Sequence, residues 1–349
     1  MILVVNCGSQ SIKWKLFDEN LKLLKSNKVE ILNTENYQNI LENELRKISG
    51  RYISLIGHRV VHSGGIFKSP LKVTEQNLSE LERINHLAPL HNPYNVMGIK
   101  ACREIFPEVD NFAVFDTEFF KDLPEYAYTY ALPEKIVKEF GSRRYGFHGI
   151  SHEYVAKKAA EIVKKPFNKL KIITCHLGGG ASITAIKNGK AVDTSMGFTP
   201  MQGLVMMTRA GDMDSGIVLE IAKKLGTEKA GEILNKESGI KGICGEGDML
   251  KVLDIIKSGE KGPAGPELYR RTKLALDVFV YSIQKYIGSY FAILGGCDVL
   301  VFTGAIGSGS ARIRNMICGD LKILSKFKIL AIETDEESAI AIKIKNLKK

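Results

Sequence analysis

Hydrophobic and polar positions along the chain fall into two stretches that read alike. The first runs from Leu3 to Phe17: an apolar strand, the tight turn Cys7-Gly8-Ser9-Gln10-Ser11, then a strand whose alternation sets Ile12, Trp14 and Leu16 on one face. The second begins near mid-chain and runs from Ile172 to Val192, with a strand, the turn Gly178-Gly179-Gly180, and alternating Ala181, Ile183 and Ala185. Asn188-Gly189 follows, a strong hairpin signal because both residues accept the positive φ of a two-residue turn, and a third strand comes after it. Such a repeat predicts a duplicated domain.

Between and after these stretches the period changes. Leu268, Thr272, Leu276, Phe279, Ile283 and Ile287 recur at helical spacing behind Pro266, a good first-turn residue, and predict a long core-facing helix. The strand Val299-Leu300-Val301-Phe302 follows, then the loop Thr303-Gly304-Ala305-Ile306-Gly307-Ser308-Gly309-Ser310. A strand, a Gly-rich loop and a helix in that order can offer backbone N–H groups to phosphate. Strands alternating with helices throughout predict an α/β fold, with ligands expected in the crevice between the two halves.

Composition changes this picture little. At ~100–200 residues per domain, 349 residues suggest two domains. Hydrophobic residues at 44% and charged residues at 25% are ordinary for a globular chain and exclude disordered and collagen-like classes. The six cysteines (Cys7, Cys102, Cys175, Cys244, Cys297, Cys318) include no C-x-x-C pair, which argues against a zinc site or disulfide scaffold and suits the cytoplasm. No signal peptide is visible ahead of Ile2-Leu3-Val4-Val5. The most apolar stretch, Ile287 to Gly307, carries Asp298 and several glycines, so it reads as a helix end and buried strand rather than a membrane span. The net charge of +10 admits either an anionic partner or a lysine-rich solvated surface. The densest basic group, Lys343, Lys345, Lys348 and Lys349, has no interleaved aromatics, so nucleic acid is not expected.

Several segments carry candidate chemistry. Asn6-Cys7-Gly8-Ser9-Gln10-Ser11-Ile12-Lys13 could wrap a phosphate or be only a turn; it lacks the G-x-x-x-x-G-K-[ST] spacing of a P-loop. Gly57-His58-Arg59-Val60-Val61-His62-Ser63-Gly64-Gly65 sets Arg59 beside a short strand. Leu90-His91-Asn92-Pro93, Val114-Phe115-Asp116-Thr117 and Arg143-Arg144-Tyr145-Gly146-Phe147-His148-Gly149-Ile150-Ser151-His152 complete the set. Singly each has a bland alternative: Asp116 as a helix cap, His91 as a core histidine, the arginines as surface ion pairs. Together, Arg and His near strand ends with carboxylates for Mg²⁺ are the parts of a phosphoryl-transfer site.

These segments, with Ala88-Pro89 ahead of Leu90, His176-Leu177-Gly178, Asp193-Thr194-Ser195-Met196-Gly197-Phe198-Thr199-Pro200 and Thr208-Arg209-Ala210-Gly211-Asp212, resemble the acetate kinase family almost end to end. The resemblance implies two similar ribonuclease-H-like (actin-like ATPase) domains around a cleft: residues 1–117 plus 333–349, and residues 118–332 on the nucleotide side. It also implies reversible transfer between ATP and acetate, giving acetyl phosphate and ADP with Mg²⁺ (or Mn²⁺), in a cytoplasmic homodimer without nucleic-acid or membrane partners.

Position by position, Arg59 and Arg209 match the arginines that hold the carboxylate and the phosphoryl group, His148 the transition-state histidine, and Asp116 the central acidic residue. Asn6 and Glu336 match metal-associated positions. Val61, Leu90, Phe147 and Pro200 match the acyl pocket, with His91 beside them. Lys13, Ser9, Ser11 and the turn His176, Leu177, Gly178, Gly179, Gly180 match phosphate contacts. An acetate carboxylate is already an anion and needs no strong base, so direct in-line transfer is expected, with Asp116 orienting or metal-linked rather than nucleophilic. One methylene is worth only ~1–3 kcal/mol, so propionate or butyrate remains an alternative acceptor.

The departures from the family pattern cluster on the nucleoside side. The H-L-G-N-G motif reads His176-Leu177-Gly178-Gly179-Gly180, Asp-Phe-Arg becomes Asp248-Met249-Leu250, and G-I-G-E-N reads Ala305-Ile306-Gly307-Ser308-Gly309. In the first half Gln10 replaces a serine and Gly65 a glutamate, and the chain is shorter than typical members around Ser26 to Ser49 and before Ile332. Three readings follow: ATP held through phosphates and backbone, another donor such as a different nucleoside triphosphate or pyrophosphate, or changes that the family tolerates; an alternative of another class is a nucleotide-binding protein that has lost catalysis.

Overall fold

β1 (Ile2–Cys7) is buried along its whole length because both of its faces are covered. Leu3, Val5 and Cys7 join Ile12, Trp14 and Leu16 of β2 (Ser11–Phe17) beneath the Tyr37–Arg46 and Asn92–Ile105 helices. Ile2 and Val4 face the other way, against Ile340, Ala341 and Ile344 of the Glu336–Leu347 helix. The computed structural model describes residues 1–32, 34–319, 321 and 327–347, so Lys348 and Lys349 of the basic group lie outside the described residues.

The chain forms two units. The first contains Met1–Lys121, Phe147–Tyr154 and the segment from Asp335. Its sheet has the order β3-β2-β1-β4-β6-β5, with β3 (Leu23–Glu30), β4 (Leu55–Val60), β5 (Leu71–Lys72) and β6 (Asn111–Phe115). β1, β2 and β3 form an antiparallel meander, while β4 runs parallel to β1 and β6 parallel to β4. An expected division at residue 117 leaves Phe147–Tyr154 in the second half; in the structure that segment packs with the first.

The second unit contains Asp122–Gly146 and Val155–Thr334. Its sheet has the order β11-β10-β7-β8-β9, from β7 (Lys171–Leu177), β8 (Ala181–Lys187), β9 (Lys190–Thr194), β10 (Val299–Thr303) and β11 (Lys328–Ala331). Here too a three-stranded antiparallel meander is followed by a strand parallel to its first member, so the repeat seen in the sequence is one of topology. Asn188 (φ 55°) and Gly189 (φ 75°) make the β8–β9 turn with the positive angles their identities allow. The expected long helix spans Gly265–Leu294 and buries Thr272, Leu276, Phe279, Ile283 and Ile287. The expected loop after β10 departs from expectation: Gly304–Gly307 winds into a single helical turn, with the Ser308 hydroxyl donating to the Gly304 carbonyl at 2.8 Å. Among the described residues no helix is long and apolar enough to cross a membrane.

Candidate active site

In the first unit the carboxyl ends of β1, β4 and β6 carry Asn6, Arg59 and Asp116 side by side, where parallel strands leave a crevice for ligands. Asp116, 1% exposed, takes two donors from Arg59: Nε at 3.1 Å to Oδ1 and Nη2 at 2.7 Å to Oδ2. The third guanidinium nitrogen, Nη1, lies 2.7 Å from Oε2 of Glu336. Burial opposes the Arg59 charge, yet the two carboxylates outweigh it and hold the group above its ordinary value. Burial also pushes Asp116 up to about 6; the Arg59 charge pulls it down, and the negative charge of Glu336 works against that pull.

His148 and Gly149 close on the same residue, one at its carboxylate and the other at its main chain. The Gly149 N–H donates to the Asp116 carbonyl at 2.8 Å, and a Cβ at Gly149 would sit 2.2 Å from that oxygen. His148 holds φ at 59°, a left-handed conformation that costs a non-glycine residue of order 1 kcal/mol and aims its main-chain N–H at the Asp116 side chain.

Asn6 reaches a residue that the sequence reading left out: its Nδ2 donates to Oε1 of Glu337 at 3.0 Å, not to Glu336. Lys15 stands 2.8 Å from Asp335 and 3.9 Å from Glu337, so the start of the C-terminal helix is wired to β1 and β2. Lys13 lies on the same face of β2 as Lys15, two residues away. Ser9 and Ser11 sit half-buried in a turn closed by Gly8 N–H to Ser11 O at 2.9 Å. Among the described residues no three His, Cys, Asp or Glu side chains stand close enough to hold a metal alone. Asn6, Glu336 and Glu337 nevertheless offer hard oxygen donors, which fit Mg²⁺ shared with phosphate oxygens rather than caged by protein.

Val61 and Phe147 are buried, Leu90 and His91 half-buried, and the His62 ring stands edge-on to Phe147 with centroids 5.4 Å apart.

In the second unit, Gly178, Gly179 and Gly180 form a turn after β7 in which Gly178 N–H meets the Gly180 carbonyl at 2.9 Å. His176 is half-buried on β7, and Leu177 is buried where its carbonyl passes close to Gly304. Met207 N–H reaches Gly179 O at 3.4 Å, which brings the turn beside the segment carrying Arg209. Arg209 Nη1 points at the Pro200 carbonyl, 3.4 Å away, and burial lowers its pKa from the ordinary value. Arg144, one of the arginines that could have been a surface ion pair, instead donates through Nη1 to the carbonyls of Thr194, Ser195 and Met196 at 3.1–3.2 Å. It thereby clamps the loop that leads to Pro200.

At the positions expected to meet the nucleoside, Asp248 caps the Met249–Ser258 helix by accepting Leu250 N–H at 2.8 Å, Met249 is buried, and Leu250 is 73% exposed. In the turn that holds Ala305, Ile306, Gly307, Ser308 and Gly309, Arg314 donates to the carbonyls of Gly307 and Ser308 at 2.9 and 2.7 Å. Of the residues missed by sequence reading, Lys15 was signalled by the period-2 face it shares with Lys13, and Glu337 by its adjacency to Glu336.

Two units of one topology, each with chemistry-bearing residues at the ends of its parallel strands, define an α/β protein of the acetate and sugar kinase, Hsc70 and actin fold class. The acetokinase family profile matches residues 38–344. An acetate kinase of Dictyoglomus turgidum is 41% identical over 395 aligned residues, covering 97% of this chain and 96% of that one. The crystal structure of Porphyromonas gingivalis acetate kinase superposes with a TM-score of 0.86 at 34% identity, covering 100% of this chain and 99% of the other. A propionate kinase from Francisella tularensis gives 0.88 at 35% identity, with 98% of each chain covered. The chain belongs to the acetokinase family.

Proposed function

We propose that the protein catalyses reversible phosphoryl transfer between ATP and acetate, giving acetyl phosphate and ADP. The observation that carries this reading is the Arg59–Asp116–Glu336 cluster: a guanidinium kept charged and locked in orientation by two carboxylates at the ends of parallel strands. A preorganised cation of this kind lowers the cost of bringing anions together and does not have to reorganise as charge spreads over the phosphoryl oxygens.

Arg59 orients the acceptor carboxylate, and Asp116 fixes Arg59 rather than attacking phosphorus. His148 and Arg209 donate to the phosphoryl group in flight, while Lys13, Ser9, Ser11 and the His176–Gly180 turn hold the phosphates of the donor. Val61, Leu90 and Phe147 serve the methyl group from the first unit, with His91 beside them in the sequence, and Pro200 is the acyl position of the second unit. Asn6 and Glu336, now with Glu337, hold Mg²⁺, which neutralises phosphate charge when bound. Ala305, Ile306, Gly307, Ser308, Gly309 and the Asp248–Leu250 turn line the nucleoside. The enzyme works as a homodimer in the cytoplasm, a setting supported by six free cysteines.

The exposed Leu250, where the family carries arginine, favours a second reading limited to the donor: loose base selection, so that other triphosphates or pyrophosphate serve. A hydroxamate assay on the purified chain, crossing acetate, propionate and butyrate with ATP, other triphosphates and pyrophosphate, tests both. Acetyl phosphate from Mg-ATP is the expected result, and failure to form acyl phosphate with every pair overturns the proposal.

A further inference from the structure

β1 and β4 pair in parallel from Ile2↔Leu55 to Val5↔His58, and there the ladder stops. Beyond it, β1 runs into the turn at residues 8–11, while β4 continues beside β6 as far as Val60↔Phe115. The fork that opens separates Asn6 and Cys7 on one prong from Arg59 and Val61 on the other. Its two facing main-chain groups, the Cys7 carbonyl and the Val61 N–H, have lost their strand partners and must be satisfied elsewhere.

One side chain satisfies both. Asn95, 3% exposed on the Asn92–Ile105 helix, accepts the Val61 N–H on Oδ1 at 3.0 Å and donates from Nδ2 to the Cys7 carbonyl at 2.6 Å. The orientation of the amide is dictated, since Val61 can only donate and Cys7 only accept. The helix itself cannot drift. One turn earlier, fully buried Asn92 takes the His62 N–H and gives to the His62 carbonyl, both at 3.0 Å. One turn later, a Cβ on Gly98 would stand 2.6 Å from Cys7 Sγ. The fork is therefore held open by the width of one carboxamide.

We propose that Asn95 is a positioning residue that sets the spacing between the Asn6 turn and the Arg59–Val61 segment, and with it the fit of the acyl group. The inference rests on the carboxylate-kinase reading, because the prongs carry its proposed metal-side and acyl-side residues. Aspartate at this position would keep an acceptor for Val61 but turn a second acceptor on the Cys7 carbonyl. Alanine would leave both groups buried and unpaired.

The test compares Asn95→Ala, Asn95→Asp and Asn95→Ser in the full chain with Asn111→Ala. Asn111 is an equally buried asparagine that binds His58, at the foot of the fork, and the Val109 carbonyl, so its loss removes stability while leaving both bonds that span the fork in place. For each, kcat and KM are measured with acetate and with propionate, alongside thermal unfolding. The Asn95 variants are expected to lose roughly tenfold or more in kcat and to shift the acetate-to-propionate ratio of kcat/KM by at least about threefold, whereas Asn111→Ala keeps that ratio. If Asn95→Ala does not fold, the Asp and Ser variants carry the comparison. Asn95 variants that lose only stability, as Asn111→Ala does, while kcat and the ratio hold, overturn the positioning role and leave the kinase reading standing. An unmodified chain that makes no acyl phosphate removes the kinase reading and this inference with it.

Discussion

Asp116 engages Arg59 through both Nε and Nη2, so the guanidinium plane is fixed by two parallel bonds before any ligand arrives. Lysine would keep the charge but not the fork, and could not reach Asp116 and Glu336 together in this plane. Arg59→Lys is therefore expected to lose ~10²–10³ in kcat/KM for acetate, close to the loss in Arg59→Ala. Steady-state kinetics on the two variants check this; near-normal turnover in Arg59→Lys would show that charge alone suffices.

Gly149→Ala tests how tightly the Asp116 loop is held. A methyl group there collides with the Asp116 carbonyl, a main-chain atom that cannot swing away as a flexible side chain would. The substitution is expected to cost several-fold or more in kcat and ~1–3 kcal/mol of stability by overpacking. Urea unfolding together with turnover measures both, and an unperturbed variant would mean that the loop yields freely.

His58 supplies a pH dependence of stability. It is buried on β4 against Asn111, and burial lowers its pKa from 6.5 to about 4, so it stays neutral in the folded chain. The unfolded chain takes up the proton first, which means that this contribution is fully present above 6.5 and is lost as pH falls toward about 4. The loss amounts to about 3 kcal/mol. The stability gap between the parent and His58→Gln should shrink over that window, as read by urea unfolding at a series of pH values. A gap independent of pH would show that His58 is not the group responsible.

In the turn after β7, a Cβ added to Gly179 meets no atom within 4 Å, so a side chain can start there without a clash. Gly179→Asn restores the amide of the family's H-L-G-N-G motif and is expected to lower KM for Mg-ATP about threefold or more with little change in kcat, since a new contact made equally in ground and transition states acts on binding. A rise in KM would mean that the glycine turn is itself the phosphate cradle.

What the sequence made legible was the part governed by local periodicity. The alternation in Ile12, Trp14 and Leu16 gave β2 and its buried face, and Asn188-Gly189 gave the β8–β9 turn, because backbone geometry imposes both within a few residues. Family resemblance singled out Arg59, Asp116 and His148, but not what holds them. The Asn6–Glu337 bond joins residues 331 positions apart, and the Asn95–Cys7 bond joins residues 88 apart; no local pattern encodes such pairs. The turn after β10 misled for the opposite reason: its glycines read as an open loop, while the Ser308 and Arg314 hydrogen bonds close it into a helical turn.

The helix Glu336–Leu347 lays Ile340 and Ile344 against β4, where Gly57 has no side chain to keep them off, and its Lys343 joins Glu118 and Glu153 at 3.0 and 2.8 Å. The first unit thus draws β1 and this helix from segments whose bonded residues, Asn6 and Glu337, lie 331 positions apart. A ribosome that stalls before residue 336 releases a polypeptide with an unfilled core and Arg59 lacking one of its two counterions, so truncated products carry apolar surface for quality control to detect in place of a half-working enzyme.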